Sequence, residues 1–436
     1  MPDYALKAPG VYIEEIPAVG PIQGVGTSTV AFIGTVAGFP AVVGPTPPPT
    51  PTPAPGTTQP PTTAPPATTP APARPSPTTP TLVTNWTQYK DLFGEYAADT
   101  ASGTAATMLP YAVRGFFDNG GTRAYIVNQS DVAAALEALT RYDINIVVAP
   151  NATTNADHTK ILDHCRQQTN RFAILHLPGP GAQPGLTTAS PGPTTAAPGP
   201  TTAPPGGDAS DPATLAGRLH EPTKRGYGAI YHPWIQVSAP TGGTDTRAIP
   251  PSGHIAGIYA RSDTERGVHK APANEVIRGA LGVTALLNDT EHGGLNAAGV
   301  NVLRVFPNSP PMVWGARSLT RNTAYRHVNV ERLLIYIEES LRAGLRWAVF
   351  EPNDFTLWKK LERTVTEFLT RIWRAGALFG NAPEQAFTVK IDEEVNPPGV
   401  RTLGIVVIEI AVAPVRPAEF VVIRLALREG GADGES

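Results

Sequence analysis

Two tracts dominated by proline and threonine set the outline of this chain. Between Pro45 and Thr81, 37 residues hold 16 prolines and 12 threonines, and Arg74 carries the only charge. No window there has helical or strand periodicity. Such a segment cannot bury enough apolar surface to offset its ordering entropy, so it reads as an extended, polyproline-like excursion. A second tract runs from Pro178 to Pro212 and contains Pro191-Gly192-Pro193-Thr194-Thr195-Ala196, repeated as Pro198-Gly199-Pro200-Thr201-Thr202-Ala203. Lengthening a loop costs only about 0.6 kcal/mol per doubling. Both tracts therefore read as loop inserts, 45–81 and 178–212, on a fold made by the remaining chain. The competing reading is a mucin-like or adhesive stalk on a secreted cell-surface protein. That reading needs an export signal, and Met1 to Lys7 has no apolar h-region.

The rest of the composition excludes several classes. A net charge of −3 argues against a broadly basic nucleic-acid binder. One cysteine, Cys165, rules out an intrachain disulfide framework and a site built on several thiolates. No apolar run approaches the roughly 18 residues of a membrane helix. The expectation is a soluble protein that assembles in the cytoplasm and does not insert into membranes.

Between and after the inserts the periodicities alternate. Val30–Gly34 reads as a buried strand, Trp86–Phe93 and Ala105–Asp118 as helices, and Asn119-Gly120-Gly121 as a stop through left-handed backbone. A strand (Arg123–Asn128), a helix (Val132–Arg141), a strand (Ile144–Ala149), a helix (Asp157–Gln168) and a strand (Phe172–Leu177) follow. This alternation predicts α/β layering with a partly parallel sheet. The last 110 or so residues differ. Val330, Leu333, Leu334, Ile337, Leu341 and Leu345 recur at helical spacing, Trp347–Phe350 reads as a short strand, and a second helix spans about Phe355 to Ala375. Strands at Ala386–Ile391, Leu403–Val412 and Phe420–Leu427 complete an α+β module with a mixed or antiparallel sheet. Near the N-terminus, Gly10–Ile16 is a good strand with no local partner, so it must pair with something distant.

Catalytic chemistry is hard to assemble from these residues. Gly24-Val25-Gly26 precedes a strand and lacks the third glycine of a dinucleotide fingerprint. His158 and His164 are wrongly spaced for one helix face, and Cys165 adds a single soft ligand. Ser252 beside His254 lacks a strand–turn–helix elbow, which leaves a tight loop. Arg261-Ser262-Asp263-Thr264-Glu265-Arg266 reads as solvated or inter-subunit ion pairs. An enzyme is not expected, and neither is a metal or other cofactor.

Several strings, in order, resemble contractile tail sheath proteins. They are Ala8–Pro17, Ala112–Gly121, Pro250–Gly253 leading into Ala256–Arg261, Lys270–Asn274, Trp314–Arg317 with Val328–Val330, Ile337–Ser340, and Val349–Asn353. The match spans nearly the whole chain except the two inserts. It implies a structural subunit of a phage tail, pyocin or phage-tail-like injection system. Such subunits form a homo-oligomer of hexameric rings stacked helically around an inner tube protein, between a baseplate and a terminator or cap. Contraction drives the tube through a target envelope; the sheath uses no cofactor and makes no direct nucleic-acid contact. The particle would assemble in the cytoplasm and leave by lysis.

Under that resemblance three regions are expected: an N-terminal strand arm (1–21), an outer α/β domain (22–325) carrying the inserts, and an inner C-terminal domain (326–436) ending in a second strand arm. The arms, with Val11, Tyr12, Ile13, Glu14 and Ile16 at one end and Phe420, Val421, Val422, Ile423 and Leu425 at the other, suit strand exchange between subunits. On the second C-terminal helix, Lys359, Lys360, Arg363, Arg371 and Arg374 fall within one 120° arc with a single acid, Glu367, opposite Leu361, Val365, Phe368 and Ile372. An ordinary solvated face explains such a stripe. The resemblance adds a second reading, in which the stripe faces an acidic tube.

Overall fold

The computed structural model describes residues 21–36, 79–96, 108–179, 211–220, 225–239, 245–420 and 422–424. The chain divides into a larger compact unit, Gly26–Tyr336 with Pro414–Ser436, and a smaller one, Met1–Val25 with Ile337–Ala413. The division falls inside the helix Val328–Gly344, downstream of 325/326, and residues from Pro414 onward group with the larger unit. The N-terminal arm residues Val11 to Ile16 lie outside the described residues, as do nearly all of the inserts.

In the larger unit, apolar strands build a nine-stranded sheet in the order 81–83, 124–128, 30–34, 146–148, 172–176, 228–232, 300–304, 312–313 and 275–276. From 124–128 to 300–304 neighbouring strands run parallel, and the strands beyond them at each end are antiparallel. Val30–Gly34 is buried at every position, as expected of an inner parallel strand covered on both faces. Side chains alternate between those faces. Val30 and Phe32 join the core beneath the helices Met108–Asp118 and Ser252–Arg266. Ala31 and Ile33 join the opposite core with Leu136 and Ile161, from the helices Val132–Leu139 and Asn155–Gln168. A three-stranded antiparallel sheet, 280–283, 235–238 and 246–249, completes this unit among the described residues.

The helices Met108–Asp118 and Ser252–Arg266 approach closely because glycine lines their contact. A Cβ on Gly253 would lie 2.3 Å from the Ala112 carbonyl oxygen, and one on Gly257 2.4 Å from that of Phe116. Gly120, at φ +106°, ends the first helix as the sequence predicts. Asn119 beside it is buried and exchanges two 2.9 Å hydrogen bonds with the Arg278 backbone.

Several expectations need correction here. Ser252 is not in a tight loop: it is the buried first residue of a helix, and its hydroxyl makes no hydrogen bond. The charged run that follows is solvated only in its second half: Thr264, Glu265 and Arg266 are exposed, whereas Arg261 and Asp263 turn inward. Asp263 pairs with Arg332 at 2.6 and 2.8 Å, and Arg332 also donates to the Thr27 carbonyl at 3.0 Å with its guanidinium 4.8 Å from the Tyr259 ring centre. Arg261 is buried and donates to the carbonyls of Val276 (2.8 Å) and Asn119 (3.2 Å).

In the smaller unit Trp347–Phe350 is not a strand. Arg346–Ala348 is a 3-10 turn, closed by Ala348 N–H to Leu345 O and Val349 N–H to Arg346 O. The expected strand Leu403–Val412 shrinks to Glu409–Val412, because Leu403 and Ile405 donate back to Val400 and close the helix Pro398–Thr402. It pairs antiparallel with Phe387–Lys390 to make a two-stranded sheet.

Candidate assembly surfaces

The helix Phe355–Arg374 begins where Asp354 accepts the Leu357 N–H at 2.8 Å. A carboxylate satisfies an otherwise unpaired donor there. Leu357, Trp358, Leu361, Val365, Phe368, Leu369 and Ile372 are buried along one face. Lys359, Lys360, Arg363, Arg371 and Arg374 are all exposed, so the structure puts the five cations on the solvent side of this unit. Three of them are engaged within the chain. Lys359 pairs with Glu362 at 2.6 Å, Arg363 with Glu367 at 3.5 Å, and Arg371 donates to the Ile22 carbonyl. Lys360 and Arg374 have no ion pair among the described residues. The helical wheel missed Glu362, which lies off the arc yet reaches Lys359.

Upstream of this helix the loop carries exposed apolar residues. Val349, Phe350 and Phe355 are exposed, and Leu403 is exposed as well. Phe350 has φ +70°, backbone that bulky L-residues rarely adopt.

The C-terminal segment has a charged anchor. Arg317 Nε lies 3.1 Å from Glu419 Oε1, and His327 Nδ1 lies 3.3 Å from the same oxygen. His327 and then Arg317 hold the Glu419 carboxyl down at about 2, well below the usual carboxylate range. Asn329 adds a 3.1 Å hydrogen bond to the Val415 carbonyl. Of the expected strand just past the anchor, Phe420, Val422 and Ile423 are exposed and in no ladder among the described residues, while Val421 and Leu425 lie outside them. A strand needs a partner for its backbone groups, and no described segment supplies one. The two-stranded sheet is the complementary case. Among the described residues, no third strand pairs with either Phe387–Lys390 or Glu409–Val412.

No group of His, Cys, Asp and Glu that could hold a metal is found among the described residues. His164 and Cys165 are buried, and His164 Nε2 contacts Arg171 Nη1 at 2.5 Å. No described helix is long and apolar enough to cross a membrane.

Residues 203–319 match a family model described as the phage tail sheath protein central domain, and residues 320–428 match the phage tail sheath C-terminal domain. A putative prophage major tail sheath protein of Pseudomonas aeruginosa (strain UCBPP-PA14) is 25% identical over 252 residues, covering 56% of this chain and 62% of that protein. The tail sheath protein of Salmonella phage ViI is 27% identical over 158 residues, 34% of this chain and 24% of that protein. The matches thus span less than two thirds of either relative's length. Among solved structures, the sheath complex of an extracellular contractile injection system, PVC, in its contracted state superposes with a TM-score of 0.69 at 24% identity, covering 96% of this chain and 97% of that one. That likeness extends the fold beyond the two matched domains.

Proposed function

Because the chain belongs to the phage tail sheath family, we propose that it is a subunit of a contractile sheath that polymerises around an inner tube and drives it through a target envelope. The family matches support this reading over a secreted stalk protein. The larger unit, carrying the Pro/Thr-rich inserts as loops, is the outer domain. The smaller unit is the inner one, with its cationic helix toward the tube. Hexameric rings stack helically between a baseplate and a terminator.

The observation that carries the assembly reading is a mismatch of strand valences. A two-stranded sheet is marginal alone in water, and among the described residues both of its outer edges are without a strand partner. The same chain carries two stretches rich in apolar residues, Phe420 to Leu425 and Val11 to Ile16. Donated strands from neighbouring copies would supply main-chain hydrogen bonds on those edges. Donor and acceptor are different surfaces, so the contact is heterologous and propagates instead of closing as a dimer. Linkers flanking each donated strand can bend while the ladder holds, so subunits can rotate during contraction without dissociating.

Deleting Met1 to Pro17 tests this. The truncated chain is expected to stay folded and to lose polymerisation, read by sedimentation and electron microscopy after co-expression with the tube protein. Long sheaths from the truncated chain would refute strand exchange.

A further inference from the structure

The loop Val349-Phe350-Glu351-Pro352-Asn353 is one of the strings on which the family resemblance rests, and most of it has a structural task. Asn353 is clamped: its Oδ1 accepts from Trp358 Nε1 at 2.8 Å and its Nδ2 donates to the Ile405 carbonyl at 3.1 Å. The Pro352 carbonyl accepts the Asp354 N–H at 3.0 Å, just before Asp354 caps the following helix. The Glu351 N–H closes onto the Ala348 carbonyl at 3.3 Å. These bonds brace the loop from both sides.

Phe350 has no such task. Its relative exposure is 102%, and its φ of +70° is one that glycine or asparagine adopts at far lower cost. Among the described residues, an aromatic there costs backbone strain and returns no burial. Strain that persists in a braced loop points from the outlier to a functional role. Val349 is 62% exposed beside it and Phe355 is 60% exposed at the start of the helix, so the aromatic does not stand alone.

The surroundings indicate the occupant. Phe355, Lys359, Arg363, Glu367 and Arg371 follow at intervals of four and form one row along the helix. The apolar patch is therefore the N-terminal continuation of the cationic row. A partner covering both needs an apolar recess next to carboxylates. We propose that Phe350, with Val349 and Phe355, is a preorganised aromatic anchor that seats in an acid-rimmed apolar recess of the inner tube protein. This rests on the tube-facing reading of the cationic helix and deepens it. Aromatic anchors in fully desolvated pockets carry a large share of interface energy, whereas exposed ion pairs contribute little each and weaken with salt. The two components of the contact therefore differ in salt dependence.

The test is co-expression of sheath and tube protein, with extended particles counted by electron microscopy at low and high salt. Phe350→Ser keeps the backbone cost and removes the ring; Phe350→Gly removes both. Each is expected to lower extended particles by roughly tenfold at both salt concentrations. The melting temperature of the isolated subunit should stay the same for Phe350→Ser and rise for Phe350→Gly. Lys360→Glu with Arg363→Glu should also impair extended assembly, but with a defect that changes with salt. A photoactivatable phenylalanine analogue at position 350 should cross-link to the tube protein. If the charge reversal blocks extended assembly while Phe350→Ser assembles normally, the anchor is refuted and the tube-facing helix stands. If the charge reversal leaves assembly intact, the tube-facing reading fails, and the anchor with it. Cross-linking only to a second sheath copy overturns the tube as occupant.

Discussion

Replacing Gly253 by alanine separates two opposed physical effects. Within the helix Ser252–Arg266, alanine should stabilise on propensity alone, by about 0.5–1 kcal/mol relative to glycine. Packing predicts the reverse. The added Cβ would meet the Ala112 carbonyl oxygen at 2.3 Å, its Cα at 2.5 Å and its carbonyl carbon at 2.7 Å. All three atoms are backbone, so no side-chain rotation relieves the overlap, and the helices must separate by roughly 1 Å to reach ordinary van der Waals contact. Overpacking of this kind costs about 1–3 kcal/mol, and a helix backbone held by a parallel sheet belongs at the upper end. Net of propensity, a loss of about 2 kcal/mol is expected, which lowers Tm by roughly 4–8 °C for a unit of this size. The control is Gly293→Ala in the helix Asp289–Ala297, where an added Cβ meets nothing within 4 Å. That change should raise Tm slightly. Thermal unfolding of the purified subunit, followed by circular dichroism, reads both. If Gly253→Ala is neutral or stabilising, like its control, the close-crossing argument is wrong.

Two further predictions concern buried charge. Arg332→Met strands the Asp263 carboxylate and should cost about 3–5 kcal/mol in urea unfolding, with Arg332→Met/Asp263→Leu recovering much of the loss; equal losses in the single and double variants would contradict this. Burial holds His176 down at about 3 and His232 and His254 at about 4, below the ordinary value of 6.5. Their stabilising contribution is complete above the unfolded pKa and is lost as pH falls from 6.5 toward 4 and 3, about 2 kcal/mol per histidine by about pH 5. A urea midpoint that does not move between neutral pH and pH 5 would count against it.

The sequence disclosed elements whose pattern is local. Val30–Gly34 is a continuous apolar run, and Phe355–Arg374 has a clear amphipathic period, so both are found at nearly their true bounds. Ser252–Arg266 escaped because burial covers every residue from Ser252 to Ser262, which erases the one-sided period, and because Pro251 gives no side-chain cap. Arg261 and Asp263 read as surface charges since their partners, Asn119 and Arg332, lie far along the chain. The cationic stripe was legible as positions on a wheel. Its partial neutralisation by Glu362 was not, because side-chain length carries that contact off the arc. Phe350 stood in the strings that resemble the family, but its backbone angle is invisible in a sequence.

The order of strands in the large sheet also sets a timetable for synthesis. The segment 30–34 lies between 124–128 and 146–148, and Thr27 receives its hydrogen bond from Arg332, 305 residues later. At about 5–20 residues per second, roughly 15–60 s separate the translation of these two positions. Strand 30–34 waits for its neighbours until residue 148 is made, and the sheet lacks strands until residue 313; a fold dominated by such distant pairings closes late. The sheet of Phe387–Lys390 and Glu409–Val412, which has no third strand among the described residues, is translated later still, after the sheet core is encoded in full. If neighbouring copies donate strands to this sheet, as proposed above, a nascent chain offers them no acceptor edge until its larger unit is encoded, and the direction of translation would gate entry into the polymer.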